Sequence, residues 1–230
     1  MTNLLAIDTA TENCSVALQV GSKIYSRATE SPREHSQRLL GFVDEVIAEA
    51  GIKLHDIQGI VVGNGPGSFT GVRIGVSVAQ GLAFSLQCPV VGVNSLAALA
   101  HQAIRKLSVE RVVAAIDARM GEIYLAAYEQ VDGQLHTTLE PMVGKPESQW
   151  LAQQLGEYTP AVSVGTGVVT YREAFASCTD TAHAEEVLLP LAEDMLAIAS
   201  SKFFENAVAA ADLEPLYVRN EVTWQKLPGR

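Results

Sequence analysis

The sequence predicts an α/β protein of two halves, each led by strands and backed by helices. Two observations carry that expectation. Strand-length apolar runs alternate with segments of helical periodicity along the chain. The segment AIDTATENCSVAL at 6–18 also shares a strand–Asp–turn–strand layout with AIDARMGEIYLAA at 115–127. An internal duplication is one reading of that pair, and two independent uses of a common layout is the other.

Leu4–Asp8 is apolar up to its final Asp and is followed by the turn-like Thr9–Asn13. Cys14–Val20 and Lys23–Arg27 flank Gly21-Ser22, so these three segments read as strands joined by hairpins. Ser31-Pro32-Arg33-Glu34 has the composition of a helix start: a capping hydroxyl, proline at the first helical position and glutamate at the third. In that helix Leu39, Val43, Val46 and Ala50 share a face flanked by Leu40, Phe42 and Ile47. The apolar arc spans roughly 160°, wider than the ~100° one core contact uses, and Gly51 ends the helix. Ile57–Val62 is a buried-type strand, leading into GNGPGSFTGVR at 63–73 and a helix from near Thr70 to Leu86. Val90–Val93 reads as a strand and Ser95–Arg105 as a helix. Val112–Asp117 is a strand, Ala118–Glu122 a turn and Ile123–Tyr128 an alternating strand. Ala161–Val164 is a strand before Gly165-Thr166-Gly167. After Pro190, Leu191, Met195, Ile198, Ala199 and Phe203 recur at helical spacing.

Composition narrows the functional classes. At 230 residues, 48% hydrophobic and 18% charged, the chain can bury a substantial core. Its most apolar stretch, Ile74–Leu86, is interrupted by Ser77, Gln80, Gly81 and Ser85, which argues against a membrane span. The N-terminus lacks the basic region of a signal peptide, and Cys14, Cys88 and Cys178 are too few and too scattered for a disulfide framework or a zinc site. Reduced thiols in a cytoplasmic protein are the expectation. With 16 basic against 26 acidic residues and a net charge of −10, the chain is poorly suited to bind nucleic acid alone, since that affinity comes from neutralising phosphates. Arg219, Lys226 and Arg230 make the tail locally basic, either as a small contact patch or as a solvated end.

The glycine-rich loop fails each specific phosphate signature. It has no lysine for a Walker A motif, reaches Thr70 where a dinucleotide fingerprint needs its third small residue, and lacks the Gly-x-Ser-x-Gly of a nucleophile elbow. The helix after the loop suggests another use. Gly71, Gly75 and Ala79 fall four apart on a helix whose same side carries Val78 and Leu82, and such a stripe lets another helix come close. Ordinary core burial and a helix shared with a partner chain are both open. His35, His55, His101, His136 and His183 show no metal-ligand spacing. Asp8 and Asp117 end apolar strands, where α/β proteins place catalytic groups and also ordinary turns. No nucleophile–base set can be assembled, so the sequence does not read as a self-sufficient enzyme.

LLAIDTATENCSVAL at 4–18, REHSQRLL at 33–40, GNGPGSFTGVRIGVSVAQGLA at 63–83, AAIDARMGEIY at 114–124 and LYVRN at 216–220 together closely resemble the bacterial TsaB family, also called YeaZ. The resemblance runs nearly end to end. It implies a reduced two-lobed actin-like ATPase (ASKHA) fold with duplicated sheet-and-helix halves: a first lobe over 1–108, a second over 109–189, and a C-terminal helix and tail over 190–230 returning to the first lobe. It also implies a non-catalytic part in making threonylcarbamoyladenosine beside the anticodon of tRNAs that read codons beginning with A. In such a system the paralogue TsaD carries the transferase site and metal, the ATPase TsaE joins the complex, and TsaC supplies threonylcarbamoyl-adenylate. Ser95 and Leu99 stand where TsaD-type chains carry two metal-binding histidines. Asp8, Thr9 and Thr11, with Asp117 and Arg119, occupy degenerate phosphate-loop positions, so tight binding of a cofactor by this chain alone is not expected. The partner interface is expected on Leu39, Val43, Val46, Ile47, Gly71, Gly75, Val78, Ala79 and Leu82, against TsaD or a second copy, with tRNA held indirectly. The rival readings are a stand-alone glycoprotease-like peptidase or small-molecule kinase acting through Asp8 or Asp117, and a homodimeric structural protein.

Overall fold

The computed structural model describes residues 2–31, 34–178 and 182–218. Its frame is a pair of five-stranded mixed sheets with one topology used twice. In the first, β1 (Leu4–Asp8), β2 (Asn13–Val20) and β3 (Lys23–Glu30) form an antiparallel meander. Beyond β1, β4 (Gly59–Gly65) and β5 (Val90–Asn94) add in parallel. In the second, β6 (Arg111–Arg119), β7 (Glu122–Val131) and β8 (Gln134–Gly144) form the meander. There β9 (Val162–Val164) and β10 (Ala182–Ala184) add in parallel beyond β6. The paired AIDT and AIDA segments therefore hold equivalent places, at the end of the central strand of each sheet.

Strand periodicity sorts the core into layers. From β1, Leu5 and Ile7 pack with Leu39, Val43 and Val46 of α1 (His35–Ala50) and with Val72, Val76 and Ala79 of α2 (Phe69–Leu86). Leu4 and Ala6 point to the other face, against Met195 and Leu196 of α7, a helix running from Ala192 to Ser200. The second sheet repeats the plan. Val112, Ala114 and Ile116 pack against Leu96, Leu99 and Ala103 of α3 (Ser95–Leu107). Val113 and Ala115 face Leu151 and Leu155 of α4 (Ser148–Leu155), Val168 of α5 (Thr166–Thr170) and Phe175 of α6 (Arg172–Cys178). Assigned to the first lobe by the sequence, α3 serves both lobes: its Ala98 belongs to the layer under the first sheet. The chain then runs through α8 (Phe203–Asn206), bridges Val90 through Val208, and seats Leu213 back among the residues around α2.

The helix start expected at Ser31 is corrected: α1 begins at His35. The Ser31 backbone N–H is spent on Glu12 O (3.0 Å), its hydroxyl is buried without a partner, and Glu34 at the cap position makes no side-chain capping bond, its carboxylate accepting instead from Arg38 Nε (2.7 Å). Gly51 does end the helix, in the left-handed region at φ 69°. At α3, Asn94 caps the first turn by accepting from Leu96 N (2.7 Å).

One polar cluster pins α3 to α7. Asp194, buried, accepts from His101 Nδ1 (2.7 Å) and from Arg105 Nε and Nη2 (3.0 and 2.9 Å). Burial alone pushes the Asp194 carboxyl up, but hydrogen bonds from His101 and Arg105 more than offset this and hold it below its usual value. Its contribution to stability is therefore complete above the unfolded pKa near 3.8 and is lost as pH falls through the lower folded value. Arg105→Met, leaving a buried carboxylate with His101 as its remaining partner, is expected to cost about 2–3 kcal/mol in urea denaturation at pH 7. That is less than for a fully buried pair, because Arg105 is itself half-exposed. Lys106→Met, on the exposed side of the same helix, should cost less than about 0.5 kcal/mol.

Candidate functional site

The turn after β1 is closed on itself and on its neighbours. Asp8 Oδ1 accepts from Ala10 N (3.1 Å), and Thr9 Oγ1 donates to Gly71 O (2.7 Å). Ala10 O accepts from Ser68 N (2.7 Å), Thr11 O from His35 Nε2 (2.8 Å), and Glu12 O from Ser31 N (3.0 Å). Asn13 Nδ2 donates to Pro190 O (3.0 Å). Each residue from Thr9 to Asn13 thus reaches a different point of the fold outside the turn.

The glycines of the 63–73 loop explain how the chain comes so close. A Cβ at Gly67 would collide with Ala10 O, one at Gly71 with Thr9 O, and one at Gly63 with the Asp8 carboxylate. At Gly75 it would sit 2.8 Å from Thr9 Oγ1. This corrects the expected orientation of the small-residue stripe: Gly71, Gly75 and Ala79 are buried against their own first lobe. Leu39, Val43, Val46 and Ile47 lie in the same core, with Val78 and Leu82 packed at its margin. The apolar arc of α1 is wide because Leu40 adds an outward residue, 50% exposed. On α2, Phe69 and Phe84 are 67% and 81% exposed. The Arg73 guanidinium lies 3.3 Å from the centre of the Phe69 ring, and Phe69, Thr70, Arg73, Ile74, Ser77 and Val78 line a shallow groove. By length and composition α2 could cross a membrane; here its small stripe is seated on the first sheet.

At the equivalent turn of the second lobe, Asp117 N donates to Thr166 Oγ1 (3.1 Å), and Asp117 Oδ1 accepts from Arg119 N (3.0 Å). Arg119 stands in the left-handed region at φ 62°, outside the conformations most side chains prefer. Its guanidinium pairs with Asp117 (3.0 Å) and reaches across to Glu12 of the first turn (2.6 Å). Sequence reasoning named Asp8, Thr9, Thr11, Asp117 and Arg119, and the structure brings the two turns together through the Arg119–Glu12 pair. It missed Glu12, His35 and Thr166, whose roles become visible only once the turns face each other.

Asp8 is fully buried, Oδ2 has no partner, and burial, opposed by the Ala10 and Thr9 amides, raises its pKa from 3.8 to about 7. Burial, then the Asp8 charge, pushes the Cys14 thiol up to about 11, the reverse of what a nucleophilic thiol requires. Ser95, buried with its hydroxyl unpartnered, and Leu99, in the core below the second sheet, hold no ligand set. Among the described residues no three His, Cys, Asp or Glu side chains are grouped to hold a metal ion. Arg219, Lys226 and Arg230 lie outside the described residues.

A duplicated pair of sheets, with strand–Asp–turn elements brought together through Arg119 and Glu12, is the architecture of the actin-like ATPase class of folds. A family model described as "TsaD: tRNA N6-adenosine threonylcarbamoyltransferase" matches residues 22–224. The chain is 46% identical over 231 residues to the "tRNA threonylcarbamoyladenosine biosynthesis protein TsaB" of Escherichia coli (strain K12), covering 99% of both chains. It is 40% identical to the protein so named from Haemophilus influenzae, over 99% and 98% of the two chains. A solved structure titled "YeaZ from Pseudomonas aeruginosa" superposes with a TM-score of 0.83 at 39% identity, over 94% of this chain and all of that one. The chain belongs to the TsaB family, also called YeaZ.

Two outcomes test the site's geometry. The folded pKa of Asp8 lies above its unfolded value, so the folded state holds the extra proton between them. Stability should therefore fall as pH rises from about 4 to about 7, by at most roughly 4 kcal/mol. Asp8→Asn should abolish that slope in pH-dependent denaturation and be at least as stable as the parent at pH 8. Gly71→Ala should cost roughly 1–3 kcal/mol by driving a methyl into Thr9 O. Gly81→Ala, on the same helix with open space around it, should gain about 0.5–1 kcal/mol from helix propensity.

Proposed function

We propose that this chain is a non-catalytic partner of TsaD in forming threonylcarbamoyladenosine beside the anticodon of tRNAs that read codons beginning with A. It associates with TsaD through the outward faces of α1 and α2, or with a second copy of itself when alone. TsaE joins the larger complex and TsaC supplies threonylcarbamoyl-adenylate, while ATP and metal are handled by the partners. The setting is cytoplasmic. The full-length similarity to proteins named for this biosynthesis supports the pathway.

The observation that carries the non-catalytic reading is the self-closed turn. In an anion cradle, backbone N–H groups converge on the ligand. Here carbonyl oxygens of Thr9 and Ala10 fill the space beside Gly71 and Gly67, and Ser68 N–H is already spent on one of them. The residues present do not fit a phosphate group at that point, which supports placing nucleotide chemistry elsewhere. The exposed Phe69, Phe84 and Leu40 support docking on the α1–α2 side, and the net charge of −10 supports tRNA being held chiefly by other chains.

Reconstitution with TsaC, TsaD, TsaE and tRNA, with and without this chain, is the test. Omission should slow modification at least about tenfold, and Phe84→Asp should weaken association with TsaD by a similar factor at unchanged melting temperature. Asp8→Asn should retain most of the activity, whereas loss of a TsaD metal ligand should not. Modification at full rate without the chain would overturn the proposal, and cleavage or ATP turnover by the pure chain dependent on Asp8 would favour the enzyme reading.

A further inference from the structure

We infer that the turn Thr9–Glu12 is the positioning element of the α1–α2 docking face, with Thr9 and His35 as its positioning residues. This rests on the docking reading given above. Thr9 Oγ1 donates to Gly71 O in the first turn of α2, and Ala10 O accepts from Ser68 N just before that helix. Thr11 O accepts from His35 Nε2 at the first residue of α1, and Glu12 O accepts from Ser31 N in the segment leading into it. Four consecutive residues therefore hold two helices, two residues for each.

Directionality is what makes this arrangement decisive. Between α1 and α2 the shared contacts are apolar, Leu39 and Val43 with Val72, Val76 and Ala79 around Leu5 and Ile7. Among the described residues no hydrogen bond or ion pair joins one helix to the other. Apolar burial is non-directional and tolerates sliding, whereas a hydrogen bond weakens steeply with misalignment. The relative register of the pair is thus set through the turn. Thr9 is wedged where only glycine leaves room, its hydroxyl over Gly71 and Gly75. His35 is committed to Thr11 O through Nε2 while Nδ1 is buried without a partner, so the ring serves as a one-bond tether. Both side chains are buried and act on the docking face through the helices they hold.

The test compares association with stability in the full chain. Thr9→Val keeps the volume and loses the hydroxyl, Thr9→Ser keeps the hydroxyl, His35→Phe loses the tether, and His35→Gln keeps a donor. Affinity for TsaD, and self-association, are measured by calorimetry at a temperature where every variant compared is fully folded, with hydrogen exchange mapped in parallel. The expected result is about five- to tenfold weaker association for Thr9→Val and His35→Phe, recovery to within about twofold by Thr9→Ser and His35→Gln, and faster exchange confined to the first turns of α1 and α2. Lower melting temperatures with unchanged affinities would show a purely structural turn and overturn the inference. If Thr9→Val does not fold, the His35 pair decides alone. Failure of the parent chain to associate with TsaD or with itself would instead remove the docking reading, and the inference with it.

Discussion

Two backbone carbonyls organise this protein. Thr9 O and Ala10 O lie so close to Gly71 and Gly67 that no side chain fits between, and a buried carbonyl must find a donor or carry a desolvation penalty of about 1–3 kcal/mol. Ala10 O finds Ser68 N, which fixes where α2 begins, and Ser68 Oγ in turn accepts from Gly71 N (3.2 Å). The position of α2 decides which of its faces meets the first sheet and which faces solvent. Phe69 and Phe84 are exposed because Gly71, Gly75 and Ala79 are not. A small-residue stripe that could have served a neighbouring chain is consumed within the lobe, and the opposite, bulkier side is the one left exposed.

The same constraint explains what could and could not be read beforehand. A glycine every fourth residue announces that something approaches the helix closely; it does not say whether that is a helix, a strand or a turn. Here it is Thr9, some sixty residues earlier in the chain. Likewise Ser31-Pro32-Arg33-Glu34 has the composition of a helix start, yet Ser31 is drawn to Glu12 O, a long-range bond that local pattern cannot anticipate. Where one layer of burial dominates, the pattern was legible. Leu4–Asp8 and Val112–Asp117 are strands, their layouts match because the topology repeats, and Gly51 ends α1 in the left-handed conformation. The long edge strand β8 escaped notice because most of its residues are exposed or half-buried and its composition is polar, Gln134-Leu135-His136-Thr137-Thr138. The repeat itself would have supplied it: a first meander of three strands calls for a third in the second.

Relative magnitudes then decide which side of the two-lobed frame is stiff. At the front, where the two turns meet, the lobes touch through Glu12 and Arg119, but those side chains are 36% and 71% exposed, and an ion pair in that setting contributes about 0–1 kcal/mol. Along α3, Leu96, Leu99 and Ala103 are wholly or almost wholly buried under the second sheet while Ala98 packs in the layer of α7. Each large apolar side chain buried there is worth about 1.5–3 kcal/mol, and the Asp194–Arg105–His101 cluster locks the two helices in register. The lobes are joined through α3 and only latched at the front. In a fold whose two turns face each other across a ligand, contacts through that ligand would hold the front. With Thr9–Asn13 satisfied by protein groups instead, the front carries little load, and the bonds of the first turn are directed sideways, into α1, α2 and the segment before α7. The first turn is placed to hold the helices of its own lobe.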